Sequence, residues 1–206
     1  MTIDALFFYK IWHDIQHTVK LEFIGVITGI ASVLYSRKEN ILVYPTGLIS
    51  TLIFIFLYAQ CGLYADASVN IYYTIMSVLG WIMWAKKAEG HTVLHISYNS
   101  IKEQLFSILF FAVCWIVLYC ILHLYTPSTV PVADSFTSAA AFTGMYLMNK
   151  KKVENWWWWI VTDLASIPLN AYKGLMFASF QYLVFTILAI MGWISWHKKY
   201  KLRIHG

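Results

Sequence analysis

Seven apolar runs, each closed by polar or charged residues, constrain this chain more than any other feature. They fall at about residues 22–36, 41–60, 65–85, 105–124, 134–148, 155–172 and 175–196. A backbone inside hydrocarbon must satisfy its own N–H and C=O groups, and a run of about 20 apolar residues does so as a helix. Composition agrees, with 60% hydrophobic and 12% charged residues, against about 25% charged in soluble domains. The reading is an all-α membrane protein with seven transmembrane helices and no separate soluble domain. The first, fifth and sixth runs are short and either tilt little or lean on flanking residues.

Outside the runs, residues 1–20 lack the basic start and small-residue cleavage site of a signal peptide. Leu6, Phe7, Phe8, Ile11, Trp12, Ile15 and Val19 recur there at helical spacing among charged residues, as in an amphipathic helix lying in the membrane interface. The polar stretch from Glu89 to Gln104 reads as a linker or a second interfacial helix. Pro127 and Pro131 break the chain after the fourth run. Seven alternating spans put Arg37, Lys38, Lys86, Lys87, Lys102, Lys150, Lys151, Lys152, Lys198, Lys199, Lys201 and Arg203 on one side. Only Lys10, Lys20 and Lys173 fall on the other. The positive-inside rule makes the first side cytoplasmic, with the N-terminus outside and the C-terminus inside. Basic residues spread over loop ends are not a nucleic-acid face.

Part of the sequence repeats. Leu57, Ala59, Gly62, Leu63, Thr74, Ile75, Gly80, Trp81, Ile82, Trp84, Lys86 and Lys87 recur without a gap at residues 169–199. Glu39-Asn40 resembles Glu154-Asn155 after a short gap. Both copies end in the same sense, so the expected architecture is a 3+1+3 parallel repeat about an axis along the membrane normal. The expected divisions are an amphipathic segment 1–20, a three-helix bundle 21–87, a linker with the fourth helix 88–132, a second three-helix bundle 133–199 and a tail 200–206.

The chemistry-bearing residues follow from helical spacing. Trp156, Trp159 and Asp163 share one face of the sixth run, presenting two indoles and a carboxylate. A flat cationic ligand suits that face, because indole stacks on rings and both indole and carboxylate attract positive charge. Trp157 and Trp158 read equally as an interfacial belt. The third run carries a polar stripe of Asp66, Asn70, Tyr73, Ser77 and Gly80. The repeat adds Gln181 and Tyr182 from the seventh run. The plain alternatives are a solvated carboxylate for Asp66, a structural contact for Asp163, and helix-to-helix bonding for Asn70 and Tyr73. Enzyme readings fail. Cys61, Cys114 and Cys120 have no metal spacing, the pairs His13/His17 and His91/His95 lack a third ligand, and no HExxH, GxSxG or P-loop occurs. No metal or cofactor is expected.

The WWWW run with its WxxW and following acid, the Asp66-Asn70-Tyr73 stripe and the doubled GW..W.K endings together resemble the PnuC family of bacterial vitamin transporters, over about residues 22–199. The resemblance implies a SWEET-like fold in the bacterial inner membrane and uptake by facilitated diffusion, with a cytoplasmic kinase trapping the vitamin. It also implies a homotrimer. Carriers of nicotinamide riboside in the family have amides where this chain has Asp66 and Asp163. Aspartates only accept hydrogen bonds, which favours thiamine, with nicotinamide riboside as the alternative and a proton-coupled version of either as a third reading. The ligand contacts that the resemblance carries over are Trp156, Trp159, Asp163, Asp66, Asn70 and Tyr73.

Overall fold

The computed structural model describes residues 3–61, 64–88, 91–92, 94–126, 128–172 and 176–205. Seven helices occupy them: α1 (Ile3–Arg37), α2 (Val43–Gln60), α3 (Tyr64–Ala85), α4 (Ile101–Tyr125), α5 (Pro131–Asn149), α6 (Asn155–Tyr172) and α7 (Met176–His205). Two short strands, β1 (Lys87–Ala88) and β2 (His91–Thr92), pair antiparallel after α3. Three helical stretches, Val43–Gln60, Ile101–Tyr125 and Ser179–Ile204, are long and apolar enough on their own to cross a membrane. The remaining helices carry more polar side chains, which a bundle shields from lipid.

One expectation needs correction. The segment 1–20 is not a separate interfacial helix, because α1 runs unbroken from Ile3 to Arg37. A continuous helix cannot turn from the membrane plane into the span without a break. Of the two readings of 89–104, the described residues fit the linker. It holds β2 and an extended segment, and α4 begins at Ile101 under a capping box formed by Ser100 and Glu103.

Helix contacts run α1–α2–α3–α5–α6–α7 and back to α1, a closed ring of six helices, with α4 packed outside against α5. Burial follows this order. In α5 the small residues Ala139, Ala140, Ala141 and Thr143 are buried, which lets α3 and α6 approach closely. In α4 only Ser107 is fully buried, and many of its apolar side chains, such as Leu105, Leu109 and Ile116, face outward.

The turns after α1 and α5 have the same structure, 112 residues apart. Glu39 and Lys151 both take a left-handed backbone, with φ of 60° and 52°. Glu39 N–H donates to Ser36 O and Lys151 N–H to Met148 O, each at 2.9 Å. Asn40 N–H donates to Tyr35 O at 2.9 Å, and Lys152 N–H to Leu147 O at 3.0 Å. The gap expected between Glu39-Asn40 and Glu154-Asn155 is therefore absent. Glu39 corresponds to Lys151, and the register of the repeat is unbroken through this turn.

The same register holds in the aromatic core at this basic end of the molecule. Tyr44 meets Trp84 edge-on at 5.2 Å, and 112 residues later Trp156 meets Trp196 edge-on at 5.6 Å. Gly80 and Gly192 make room for the first ring of each pair: a Cβ on Gly80 would lie 2.4 Å from Tyr44, and one on Gly192 2.4 Å from Trp156. The two pairs touch through Trp84 and Trp196, with centroids 6.1 Å apart. Each indole then reaches across. Trp84 Nε1 donates to Asn149 O at 3.1 Å, and Trp196 Nε1 to Ser36 O at 2.9 Å. Carbonyls at helix C-termini lack intrahelical partners, and here the opposite three helices supply them.

Candidate functional site

Four consecutive tryptophans open α6, and helical rotation of about 100° per residue sends them in four directions. Trp156 enters the basic-end core and is 2% exposed. Trp157 is half-exposed and leans on Trp193 of α7, at 5.1 Å. Trp158 packs on Phe111 of α4, at 4.9 Å. Trp159 points inside the ring of helices, toward Tyr73 of α3, at 6.4 Å and 40°.

An aromatic row continues from there. Tyr73 meets Phe142 of α5 edge-on at 6.0 Å, and Phe142 stacks on Tyr72 at 3.8 Å. The Tyr72 hydroxyl donates to the Phe142 carbonyl at 3.1 Å, which fixes this part of the wall. Gly144 lets the Trp159 indole pack close to α5, with the nearest ring atom 3.2 Å from where a Cβ would sit, tighter than ordinary contact.

Asp163 lies one turn beyond Trp159 on α6 and is 5% exposed. Tyr73 and Tyr182 are within electrostatic reach of its carboxylate. No hydrogen bond or ion pair to it occurs among the described residues. A buried carboxylate without a partner is costly, and a donor or cation entering the ring would relieve that cost. The Tyr182 hydroxyl interacts with Ser166, one further turn along α6.

The structure thus brings together Tyr73, Trp159, Asp163 and Tyr182. It places the other expected residues apart. Trp156 is wedged between Gly192 and Trp196 in the core of the basic end. Asp66 is exposed in the first turn of α3, at the opposite end, within electrostatic reach of Tyr58 and Tyr182. Asn70 turns its amide back to its own helix, donating to Asp66 O at 3.0 Å. Gln181 is half-buried beside Tyr182 in sequence. Sequence reasoning passed over Tyr72, Phe142 and Ser166. Phe142 carried a signal, as the one ring among the small residues of 137–145. Ser166 sits three residues after Asp163 on the same face.

A scan against protein families matches residues 20–198 to the nicotinamide mononucleotide transporter model. The chain belongs to the nicotinamide mononucleotide transporter family. Relatives agree along nearly the whole chain. The nicotinamide riboside transporter PnuC of Escherichia coli (strain K12) is 23% identical over 204 residues, covering 85% of this chain and 84% of that protein. The riboflavin/roseoflavin transporter RibM of Streptomyces davaonensis is 24% identical over 186 residues, covering 88% and 86%. The crystal structure of the vitamin B3 transporter PnuC superimposes with a TM-score of 0.69 at 22% identity, over 96% of this chain and 92% of that one. Membership in the family makes this chain a membrane transporter, and the named relatives are transporters rather than enzymes.

Proposed function

We propose that this chain carries a flat, vitamin-type nucleoside across the bacterial inner membrane, with nicotinamide riboside as the substrate. The single observation that carries the reading is Asp163, buried without a hydrogen bond and set among Tyr73, Trp159 and Tyr182. A pyridinium ring satisfies both features: its charge offsets the carboxylate, and its faces suit the flanking rings. A ring between two aromatic faces needs a gap of about 7 Å, twice a contact distance. Tyr73 and Trp159 are 6.4 Å apart, so a small opening and alignment would admit it. Asp66, Asn70 and Gln181 would meet the ligand nearer the opposite end, while Trp156 would support the site from the core.

Thiamine is the second reading. It rests on two aspartates in place of amides at positions 66 and 163, and on the preference of carboxylates for donor-rich, cationic ligands. None of the relatives named above is a thiamine carrier, which is why nicotinamide riboside comes first. The ring order of helices and the contacts repeating at a spacing of 112 residues support a 3+1+3, SWEET-like arrangement around the site. With no ATP-binding motif in the sequence, facilitated diffusion with trapping by a cytoplasmic kinase is the mechanism this reading adopts. The basic end then faces the cytoplasm.

Titration of the purified protein with nicotinamide riboside, thiamine and riboflavin tests the reading. Tightest binding is expected for nicotinamide riboside. Tighter binding of thiamine would select the second reading, and no binding of either cation would refute the site. Uptake into proteoliposomes that is indifferent to an imposed pH gradient is expected of facilitated diffusion, and a clear response would replace it with proton coupling.

A further inference from the structure

The groove between α4 and α5 at the basic end lies outside the six-helix ring and has no part in the transport site. It holds a cavity of about 300 Å³ whose walls include Lys102 and Phe106 of α4, Tyr146 of α5 and Lys150 at the end of α5. Neither lysine forms an ion pair among the described residues. Lys150 Nζ sits 4.6 Å from the centre of the Tyr146 ring, which holds the ammonium at the cavity wall. Glu103 also lines the cavity, but its carboxylate is engaged by Lys152 at 2.9 Å and by the Ser100 cap at 2.8 Å. The unneutralised charge there is positive.

Toward the middle of the molecule the groove becomes aromatic. Phe106 lies 5.7 Å from Tyr146, and Phe110 5.4 Å from the same ring. Beside this ladder the outer face of α4 is bare and apolar, with Leu105 62% and Leu109 61% exposed. Two unpaired ammonium groups above an apolar, lipid-facing strip have the shape and charge of a phospholipid turned inside out: an anion at the water boundary, a hydrocarbon chain beneath it.

We propose that this groove binds an anionic phospholipid, its phosphate held between Lys102 and Lys150 and an acyl chain lying on Phe106, Phe110 and Tyr146. Such a lipid would reinforce the hold on α4, which packs mainly against α5. An interfacial lysine strengthens anionic-lipid binding about five-fold, so the pair is worth roughly thirty-fold.

The test uses delipidated full-length protein in neutral detergent, titrated with phosphatidylglycerol or phosphatidylcholine and followed by thermal unfolding and native mass spectrometry. Phosphatidylglycerol is expected to raise Tm and to remain bound, and the variant K102Q/K150Q to lose that affinity roughly thirty-fold with its lipid-free Tm unchanged. The single variant K102Q serves if the double variant is unstable, with about a five-fold loss expected. Retention in a control variant, K198Q/K201Q, supports the groove, since those lysines lie on α7. Four results would overturn the proposal: equal stabilisation by phosphatidylcholine, an equal effect of inorganic phosphate, equal loss in the α7 control, or a change of oligomeric state in K102Q/K150Q with lipid retention unaltered. The second would assign the lysines to a free anion, and the last would make the groove an interface between copies of the chain.

Discussion

Lys151 Nζ lies 2.8 Å from a carboxylate oxygen of Glu39, and the two residues occupy the same place in turns 112 residues apart. Both adopt the left-handed backbone. Lys151 is almost fully buried, with its ammonium 4.6 Å from the Trp84 ring centre, and Lys199 joins the other Glu39 oxygen at 3.3 Å. This cluster ties α1–α3 to α5–α7 at the basic end, where Trp84 and Trp196 exchange hydrogen bonds between the same two groups.

Glu39→Gln is expected to destabilise the protein by about 2 kcal/mol, between the values for exposed and fully buried pairs, because it leaves Lys151 buried without its counter-charge. Adding Lys151→Met should recover most of that loss, since both charges are then gone. Lys199→Gln, at an exposed position, should cost under about 1 kcal/mol. Thermal unfolding in detergent distinguishes these outcomes. Full additivity of the first two substitutions would show that the pair is not coupled.

Gly192→Ala should cost about 2–3 kcal/mol by overpacking, because its Cβ would lie 2.4 Å from the enclosed Trp156 ring. Gly144→Ala meets the Trp159 indole at 3.2 Å and should cost about 1 kcal/mol or less. Denaturant midpoints of the two variants check the contrast. Equal costs would mean that the basic-end core is more yielding than its geometry indicates.

Binding should respond to Asp163, Trp159 and Tyr73 and not directly to Trp156. Asp163→Asn is expected to weaken a cationic vitamin roughly ten- to a hundred-fold, the range for hydrogen bonds to charged groups, while leaving stability intact or improved. Trp159→Ala and Tyr73→Ala should each lose about 1–2 kcal/mol of binding, a typical worth for stacking a base on a ring. Trp156→Phe should lower Tm and leave affinity within about two-fold, since its ring lies in the core. Calorimetric titration with nicotinamide riboside and with thiamine reads all four. Unchanged affinity in Asp163→Asn would remove the carboxylate from the site.

The strap of residues 94–100 offers a pH test. Tyr98 Oη and His197 Nδ1 are 2.5 Å apart, joining the strap to α7, and Ser97 pairs with Lys152 in the turn after α5. Burial, then Glu154 and Tyr200, push the Tyr98 hydroxyl above the usual tyrosine range. A raised folded pKa stabilises the folded state while the hydroxyl is protonated, and this is lost as pH rises through that value. Tyr98→Phe should therefore cost about 1 kcal/mol near pH 7 for the lost hydrogen bond, and the difference from the parent should shrink above pH ~10. Tm measured for both proteins between pH 7 and pH 11 checks the sign. A difference that grows with pH would contradict it.

The sequence by itself determined that this chain forms seven helices for a membrane, since apolar runs of that length leave the backbone no other way to satisfy its polar groups. It also showed that two stretches are alike, because Gly80, Trp81 and Trp84 reappear as Gly192, Trp193 and Trp196 in one register. Periodicity placed Trp159 and Asp163 on a shared face of α6. It could not separate Trp156 from them, because seven residues along a helix return to nearly the same direction about 10 Å away. Only the tertiary structure decided that the first of those positions meets Trp196 and Gly192 while the others meet Tyr73 and Tyr182. It also supplied Phe142, whose place depends on how α5 is threaded between α3 and α6. The pairing of Glu39 with Lys151 was hidden because repeats are recognised by identical residues, whereas two equivalent turns that touch each other are best filled by opposite charges.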